Sequence, residues 1–366
     1  MKAQSAFSVK IDVNAAVADV RDQLSGCDPI VVLYFASPVY PPERIAAAMA
    51  AAFPAAQTFG CSTAGEIVTG RMLTHSVGAM AFGSEAITSA KVEVITDLDH
   101  PGYDAFASFE RHFGVSMAEM DPSRYVGLIL IDGLSRKEEL VVDRIGDLTN
   151  VNFIGGSAGD DLRFAASHVF ANGASHGGAA VLALLEPAVP FSFIKTQSFT
   201  PLPRTLTVTR ANEPCREVLE FDHKPAAVAY AEALGVPLEE AGAHFLSNPL
   251  GILFEGEPFV RSPQRVDGGT MSFYCSVKEG MELSLLQSSD IIADTRRDLE
   301  SAITEFGKPS VIINFNCILR TLELREKGLT EEYGRLFADV QTVGFSTYGE
   351  QFIGHLNQTA TMLLLY

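Results

Sequence analysis

The sequence has few cysteines, few cations and no long apolar run, and each shortage excludes a class of protein. Its five cysteines are scattered and odd in number, so they make no disulfide framework. No CxxC pair is present, which removes the common zinc spacings, and no CxxCH is present, so any haem would be held non-covalently. Buried free thiols in a reducing cytosol are what remains. Lys and Arg number 27 against 45 Asp and Glu, a formal charge of −18. Such a balance repels polyphosphate and anionic membrane surfaces, so no nucleic acid is expected as a partner. The opening "MKAQSAFSVKIDVNAAVADV" lacks the apolar run and small-residue cleavage site of a signal peptide, and no later stretch reaches bilayer-spanning length. A cytoplasmic protein without membrane insertion is expected. With 366 residues, 47% of them hydrophobic and 20% charged, the chain can fill a substantial core and has room for two domains.

What the sequence does have is a unit used three times. The strings "TFGCSTAGEI" (58–67), "FIGGSAGDD" (153–161) and "TVGFSTYGEQF" (342–352) are small, hydroxyl-rich and acidic in a chain otherwise rich in bulky apolar residues. Each closes a helix, strand, helix, strand series. In the first, Val17, Val20 and Leu24 stripe a helix that Asn14 is placed to cap; "IVVLYFAS" is an apolar strand, and Ile45, Met49 and Phe53 stripe a proline-started helix. In the second, Phe106, Phe109 and Phe113 mark a helix, "YVGLILIDG" a strand, and Val141, Ile145 and Leu148 the next helix. In the third, Leu299, Ile303 and Phe306 stripe a helix that Thr295 and Asp298 are placed to cap, "SVIINFNC" is a strand, and Tyr333, Leu336 and Val340 stripe the following helix. Further strands follow each string: "VGAMAF", "GGAAVLALL" and "TATMLLLY". Strands this apolar are covered on both faces.

From Phe191 to Gln287 the texture changes. Prolines at 187, 190, 201 and 203 open the stretch, alternating hairpin-like strands fill it, and "KPAAVAYAEALG" reads as a short helix ending on Gly235. The expected fold is therefore α/β: repeated helix-strand-helix-strand units forming mixed β-sheets flanked by helices, in two lobes, with domains at 1–190 and 191–366.

Aligning the strings on a common glycine matches Gly65, Gly159 and Gly349, each followed by an acid: Glu66, Asp160 and Glu350. Gly60, Cys61, Ser62 and Thr63 precede the first acid, Gly156 the second, and Ser346 and Thr347 the third. Small residues let a backbone approach a guest closely, and consecutive N–H groups in such turns can cup an anion. The same residues also suit tight turns or close strand packing, with the acid accepting backbone N–H bonds. There is no Gly-Lys-Ser/Thr phosphate loop, and an acid at the mouth disfavours a triphosphate. A small zwitterion, its amine on Glu66 or Glu350, suits these residues better.

"GCSTAGEI", "FIGGSAGDD", "NFNCILR" and "GFSTYGEQFIGHLNQTATMLLLY", in this order, resemble the FIST proteins (F-box and intracellular signal transduction), N-terminal and C-terminal modules in tandem. The resemblance covers most of the chain and is weakest in the middle. It implies a sensory module working with histidine kinases, chemotaxis transducers or cyclic-di-GMP enzymes. No output domain accompanies the modules, so the resemblance implies a separate signalling partner such as a histidine kinase. The terminal "YGEQFIGHLNQT" is similar to the bacterial nitric oxide-sensing branch, which implies haem b, and His355 is then the candidate iron ligand. Arg320, in "NFNCILR", is placed to hold a carboxylate or haem propionate, or is a surface arginine. Two ligand expectations thus stand side by side, haem and a small amino-acid-like metabolite. A thiol enzyme using Cys61 beside Ser62, Thr63 and Glu66 is a further alternative, although no histidine lies near it in sequence. A protein-interaction module without a ligand is another.

Overall fold

The computed structural model describes residues 3–100 and 103–366. The chain forms two compact units, one made of residues up to 195 with 296–355 and 360–366, the other of 196–295 with 356–359. These units do not follow the sequence halves 1–190 and 191–366, because the third repeat belongs to the same unit as the first two.

Three six-stranded mixed sheets make up the first unit, and they share one plan. Strand Val31–Ala36 runs parallel to Gln57–Ser62, Val126–Asp132 to Phe153–Ala158, and Val311–Cys317 to Gln341–Thr347. Each first strand has an antiparallel neighbour on its other side, Val77–Phe82, Ala180–Pro187 and Thr359–Leu365 respectively. The last two positions of each sheet come from a different repeat. The hairpin starting at Glu66 pairs with the third sheet (Phe345 opposite Glu66), the one starting at Val169 with the first (Val169 opposite Cys61), and the one starting at Glu350 with the second (Glu350 opposite Gly156). The exchange closes on itself, so no repeat completes its sheet alone.

Matched positions of the three parallel pairs fill one core: Val31, Leu33 and Phe35; Val126, Leu128 and Leu130; Val311, Ile313 and Phe315. Phe35, Phe315 and Phe345 meet there with ring centroids 4.5, 6.0 and 6.3 Å apart. The opposite faces of the first two sheets pack under their helices through Val32, Tyr34 and Ala36, and through Ile129 and Ile131. This accounts for the nearly unbroken apolar strands, which have cover on both sides. Within each parallel pair one glycine is obligatory. A Cβ on Gly60, Gly155 or Gly344 would lie 1.7, 1.7 or 2.0 Å from the carbonyl oxygen of Tyr34, Ile129 or Asn314.

Several local expectations are corrected. Helix Val13–Gln23 is capped by Asp12, whose carboxylate accepts from the Ala15 amide, not by Asn14. Helix Ile291–Phe306 is capped by Asp290, which accepts from the Ile292 and Ala293 amides; Thr295 lies inside the helix and donates to the Ile291 carbonyl. The stripe of Tyr333, Leu336 and Val340 is helical only over Thr330–Arg335, and "NFNCILR" runs directly into a helix, Ile318–Glu326, that the strand signal masked.

The second unit is an eight-stranded antiparallel sheet with helix Ala226–Leu234 packed on it. Gly235 ends that helix at φ 76°, the left-handed conformation that favours glycine.

Candidate small-ligand site

The three strings converge through a ring of reciprocal backbone hydrogen bonds. The amides of Ala64, Gly159 and Tyr348 donate to the carbonyls of Ser346, Ser62 and Ser157 at 3.2, 2.9 and 3.0 Å. The amides of Ser346, Ser62 and Ser157 donate to the carbonyls of Gly65, His168 and Gly349 at 2.7, 2.8 and 2.8 Å. This pairing corrects the expected cup of amides, since the ring's N–H groups serve one another and not a guest. It also corrects the alignment in the second string. Gly159 matches Ala64 and Tyr348, and the position of Glu66 and Glu350 in their sheets is taken by Val169. Residues 158–168 are inserted where the other strings have 63–65 and 347–349.

The two remaining acids do not face a cleft. Glu66 is fully buried and accepts from the Thr63 and Ser76 hydroxyls and the Ser76 amide. Burial pushes its pKa up to about 8 against those hydrogen bonds, so near neutrality the group is largely an uncharged acid. It is no amine acceptor. Glu350 is fully buried on the strand paired with Gly156, where a Cβ on Gly156 would lie 2.7 Å from the Thr347 hydroxyl. Gly65, at φ 131°, needs the freedom of glycine to carry the chain past Ser346. Cys61 is fully buried in the shared core, and burial, helped by nearby Glu66, pushes its thiol well above the ordinary range. That removes the thiolate a Cys61 nucleophile needs.

Arg320 is 1% exposed, and its Nε donates to Asn316 Oδ1 at 3.1 Å within a polar layer that includes Thr321, Tyr333 and Ser346. It is not the surface arginine of one sequence reading. His355 is 6% exposed, with Nδ1 3.4 Å from Gln351 Nε2. Its ring lies on Gly349, where a Cβ would come within 2.2 Å of it. A haem ligand needs an apolar slot beside the imidazole, whereas the Gln351 side chain at this ring also donates to Ser157 Oγ and the Gly349 carbonyl. On that side the ring packed on Gly349 and the polar Gln351 leave no apolar slot. Among the described residues there is also no cluster of three or more His, Cys, Asp or Glu placed to hold a metal ion.

Among the described residues, the first corner carries a cavity where the side chains of the other two meet. At the second corner Ser157 Oγ meets Glu138, at the head of a helix, and accepts from Gln351. At the third, Ser346 Oγ meets Thr321 at 2.8 Å from the helix that follows its strand. In the first repeat the helix starts at Pro42, as far beyond its strand as Glu138 is in the second, but a proline stands where Glu138 reaches Ser157, and among the described residues no helix side chain is hydrogen-bonded to Ser62. A cavity of about 210 Å³ stands there, lined by Ser37, Pro38, Tyr40, Pro42, Ser62, Asp160, Arg163, Ala165, Ala166, His168 and Phe170. Of the expected site residues, Ser62 and Asp160 line it; Gly60, Cys61, Thr63, Gly65, Glu66, Gly156, Arg320, Ser346, Thr347, Gly349, Glu350 and His355 do not. Sequence reading missed Ser37, Tyr40, Arg163 and His168. The available signal was the polar run "DDLRFAASH" after the second string, longer than its counterparts.

Asp160 is 2% exposed and accepts from the amides of Phe164, Ala165 and Ala166 and the Tyr348 hydroxyl, at 2.9, 2.6, 3.0 and 2.6 Å. Burial works to raise its pKa, but these bonds outweigh it and hold the carboxyl below its usual range. Ser62, His168 and Asp160 share the cavity without forming a catalytic triad. Ser62 Oγ donates to the Gly159 carbonyl and accepts from the His168 main-chain amide, while the imidazole turns to Ser175. The arrangement suits binding a small polar molecule: a fixed negative charge at Asp160, the serine hydroxyls, and Arg163 and His168 among the lining residues of a small space with apolar sides.

No helix among the described residues is long and apolar enough to cross a membrane. The FIST N domain model matches residues 30–224 and the FIST C domain model residues 226–353. An uncharacterized protein of Methanocaldococcus jannaschii is 24% identical over 211 residues, 52% of this chain and 40% of that protein. The chain thus spans under half the length of that relative. It belongs to the FIST family, whose domains are sensory signal-transduction modules that bind small ligands.

Proposed function

We propose that the protein is a sensor of a small amino-acid-like metabolite, which enters the cavity over Ser62, and that it acts on a separate signalling protein such as a histidine kinase. The observation that carries this is the cavity over Ser62, at the corner where, among the described residues, no side chain from the following helix bonds to the ring serine as Glu138 and Thr321 do at the other two. About 210 Å³ is below the 300–1,000 Å³ of drug-sized pockets and suits a compact metabolite. The Asp160 carboxylate favours an ammonium group nearby, and the hydroxyls of Ser37 and Ser62 suit polar substituents.

Thermal shift across the common amino acids and their small derivatives tests it. At least one is expected to raise the melting temperature of the wild-type chain and to lose that effect in Asp160→Asn. A flat response across the panel would count against the reading. Haem is tested in parallel by absorption after haem supplementation: no Soret band is expected, and a band abolished by His355→Ala would restore the haem sensor and its nitric oxide chemistry.

A further inference from the structure

One wall of the cavity is the stretch that only the second repeat carries, residues 158–168, and its construction is unlike that of the ring. Asp161, Leu162 and Phe164 all sit in the left-handed region, at φ 55, 62 and 51°, a conformation that strains non-glycine residues. Phe164 is 51% exposed. Its ends are fixed by the ring bonds of Gly159 and His168, by the Asp161 amide donating to the Thr63 carbonyl at 3.1 Å and by Ser167 Oγ donating to Asp132, and two further sets of contacts hold its middle. Tyr348 of the third repeat accepts from the amides of Asp160 and Leu162 at 3.2 and 2.8 Å, donates to the Asp160 carboxylate, and stacks on Phe164 with centroids 5.1 Å apart. On the other side the Asp161 carboxylate accepts from Ser37 Oγ at 3.1 Å and lies 3.9 Å from His75 Nε2.

The stretch also carries Arg163, whose guanidinium has no hydrogen-bond or ion-pair partner among the described residues although it lines the cavity. Arg163 is exposed at the cavity it lines with Ser37, Ser62 and His168, and an exposed guanidinium without a protein partner is suited to a bidentate carboxylate contact.

We propose that residues 158–168 form a strap over the first corner, latched by Tyr348 as a positioning residue, and that Arg163 on the strap recognises a carboxylate of the bound molecule. This rests on the small-ligand reading above and adds how the ligand is admitted and which of its groups is read. Strain in the strap favours opening, and the Tyr348 bonds oppose it. A carboxylate on Arg163 adds an interaction made only when the strap is closed, so binding shifts the population toward the latched state. Because the latch belongs to the third repeat, the ligand state reaches the hairpin that starts at Glu350.

Hydrogen exchange followed peptide by peptide tests the strap in the ligand-free chain, so it does not depend on finding the metabolite. Tyr348→Phe keeps the ring stack and removes the hydroxyl. Amides 162–166 are expected to exchange roughly tenfold faster, the scale for losing one or two hydrogen bonds, while strands Gln57–Ser62 and Gln341–Thr347 stay protected. Unchanged exchange in 162–166, or a uniform rise everywhere, would overturn the latch. Acetate is the probe for the carboxylate, with ethylammonium chloride as the control. Acetate is expected to slow exchange of the strap in the wild type and not in Arg163→Gln, and ethylammonium to leave it unchanged. Equal protection in both proteins, or none in the wild type, would overturn the role of Arg163. A flat amino-acid panel together with a working latch would sink the metabolite and leave the strap standing.

Discussion

The first and third corners are built on the same ring and do opposite things with it. Behind Ser346 a helix begins at once, and Thr321 and Arg320 bring a buried polar layer against the strand ends. Behind Ser62 the helix starts later, at Pro42, whose ring brings no polar group to the corner, and the space stays open to a guest. Repetition therefore supplies the frame, and the connection after the first strand of each repeat decides whether a corner is structural or receptive. The small-residue strings are required by the frame. The site is made by what departs from the repeat, namely the proline-rich connection and the inserted strap.

The largest effects are expected at the shared frame. Gly60→Ala and Gly344→Ala drive a methyl into the Tyr34 and Asn314 carbonyls, so each is expected to cost more than about 4 kcal/mol and abolish folding, seen as loss of a cooperative melt. Gly114→Ala, with open space around it at φ 69°, is the control and is expected to cost only about 1 kcal/mol. Next comes the filled corner against the open one. Arg320→Met leaves the Asn316 acceptor buried without this donor and is expected to cost about 3 kcal/mol in urea unfolding, whereas Arg163→Ala is expected to stay within about 0.5 kcal/mol.

A more gradual effect comes from Glu66. Its folded pKa, about 8, lies above the ordinary 4.5, so the folded chain holds a proton that the unfolded chain releases in between. Stability is expected to fall as pH rises from about 4.5 to about 8, and Glu66→Gln, which keeps the protonated shape, is expected to flatten that slope in urea midpoints. Smallest of all, iodoacetamide is expected to modify exposed Cys215 quickly and Cys61 only as the chain unfolds. Rapid alkylation of Cys61 in the native chain would revive the thiol reading.

Much of the frame was legible in the sequence, because strand length, apolar runs and helical stripes are local signals. "VGAMAF" is strand Val77–Phe82 residue for residue, and the threefold order of elements matches the three sheets. The exchange of hairpins was not legible, since Glu66–Val68 carries no mark of which sheet it will join. The shift in the second string had the same root. Gly159 looks like Gly65 in composition, but its place is set by the Ser62 carbonyl it binds, which no local pattern reveals. The acids stood out as polar residues in apolar surroundings, and sequence cannot tell a buried, protonated Glu66 from one that faces a ligand. His355 attracted attention by its position, while its packing against Gly349 is a contact of folded structure. Arg163 and His168 sat in a loop with no periodicity, and only the closing of the ring brings them beside Ser37 and Tyr40.

The central claim is that a guest enters at the first corner and nowhere else on the ring, and calorimetry on a filled corner tests it most directly. The amino acid that raises the wild-type melting temperature is titrated into the wild type and into Ala166→Phe, whose ring occupies the cavity from the strap side. Ala166→Phe is expected to melt cooperatively and to give no binding heat. Binding of the same affinity in both proteins would contradict it.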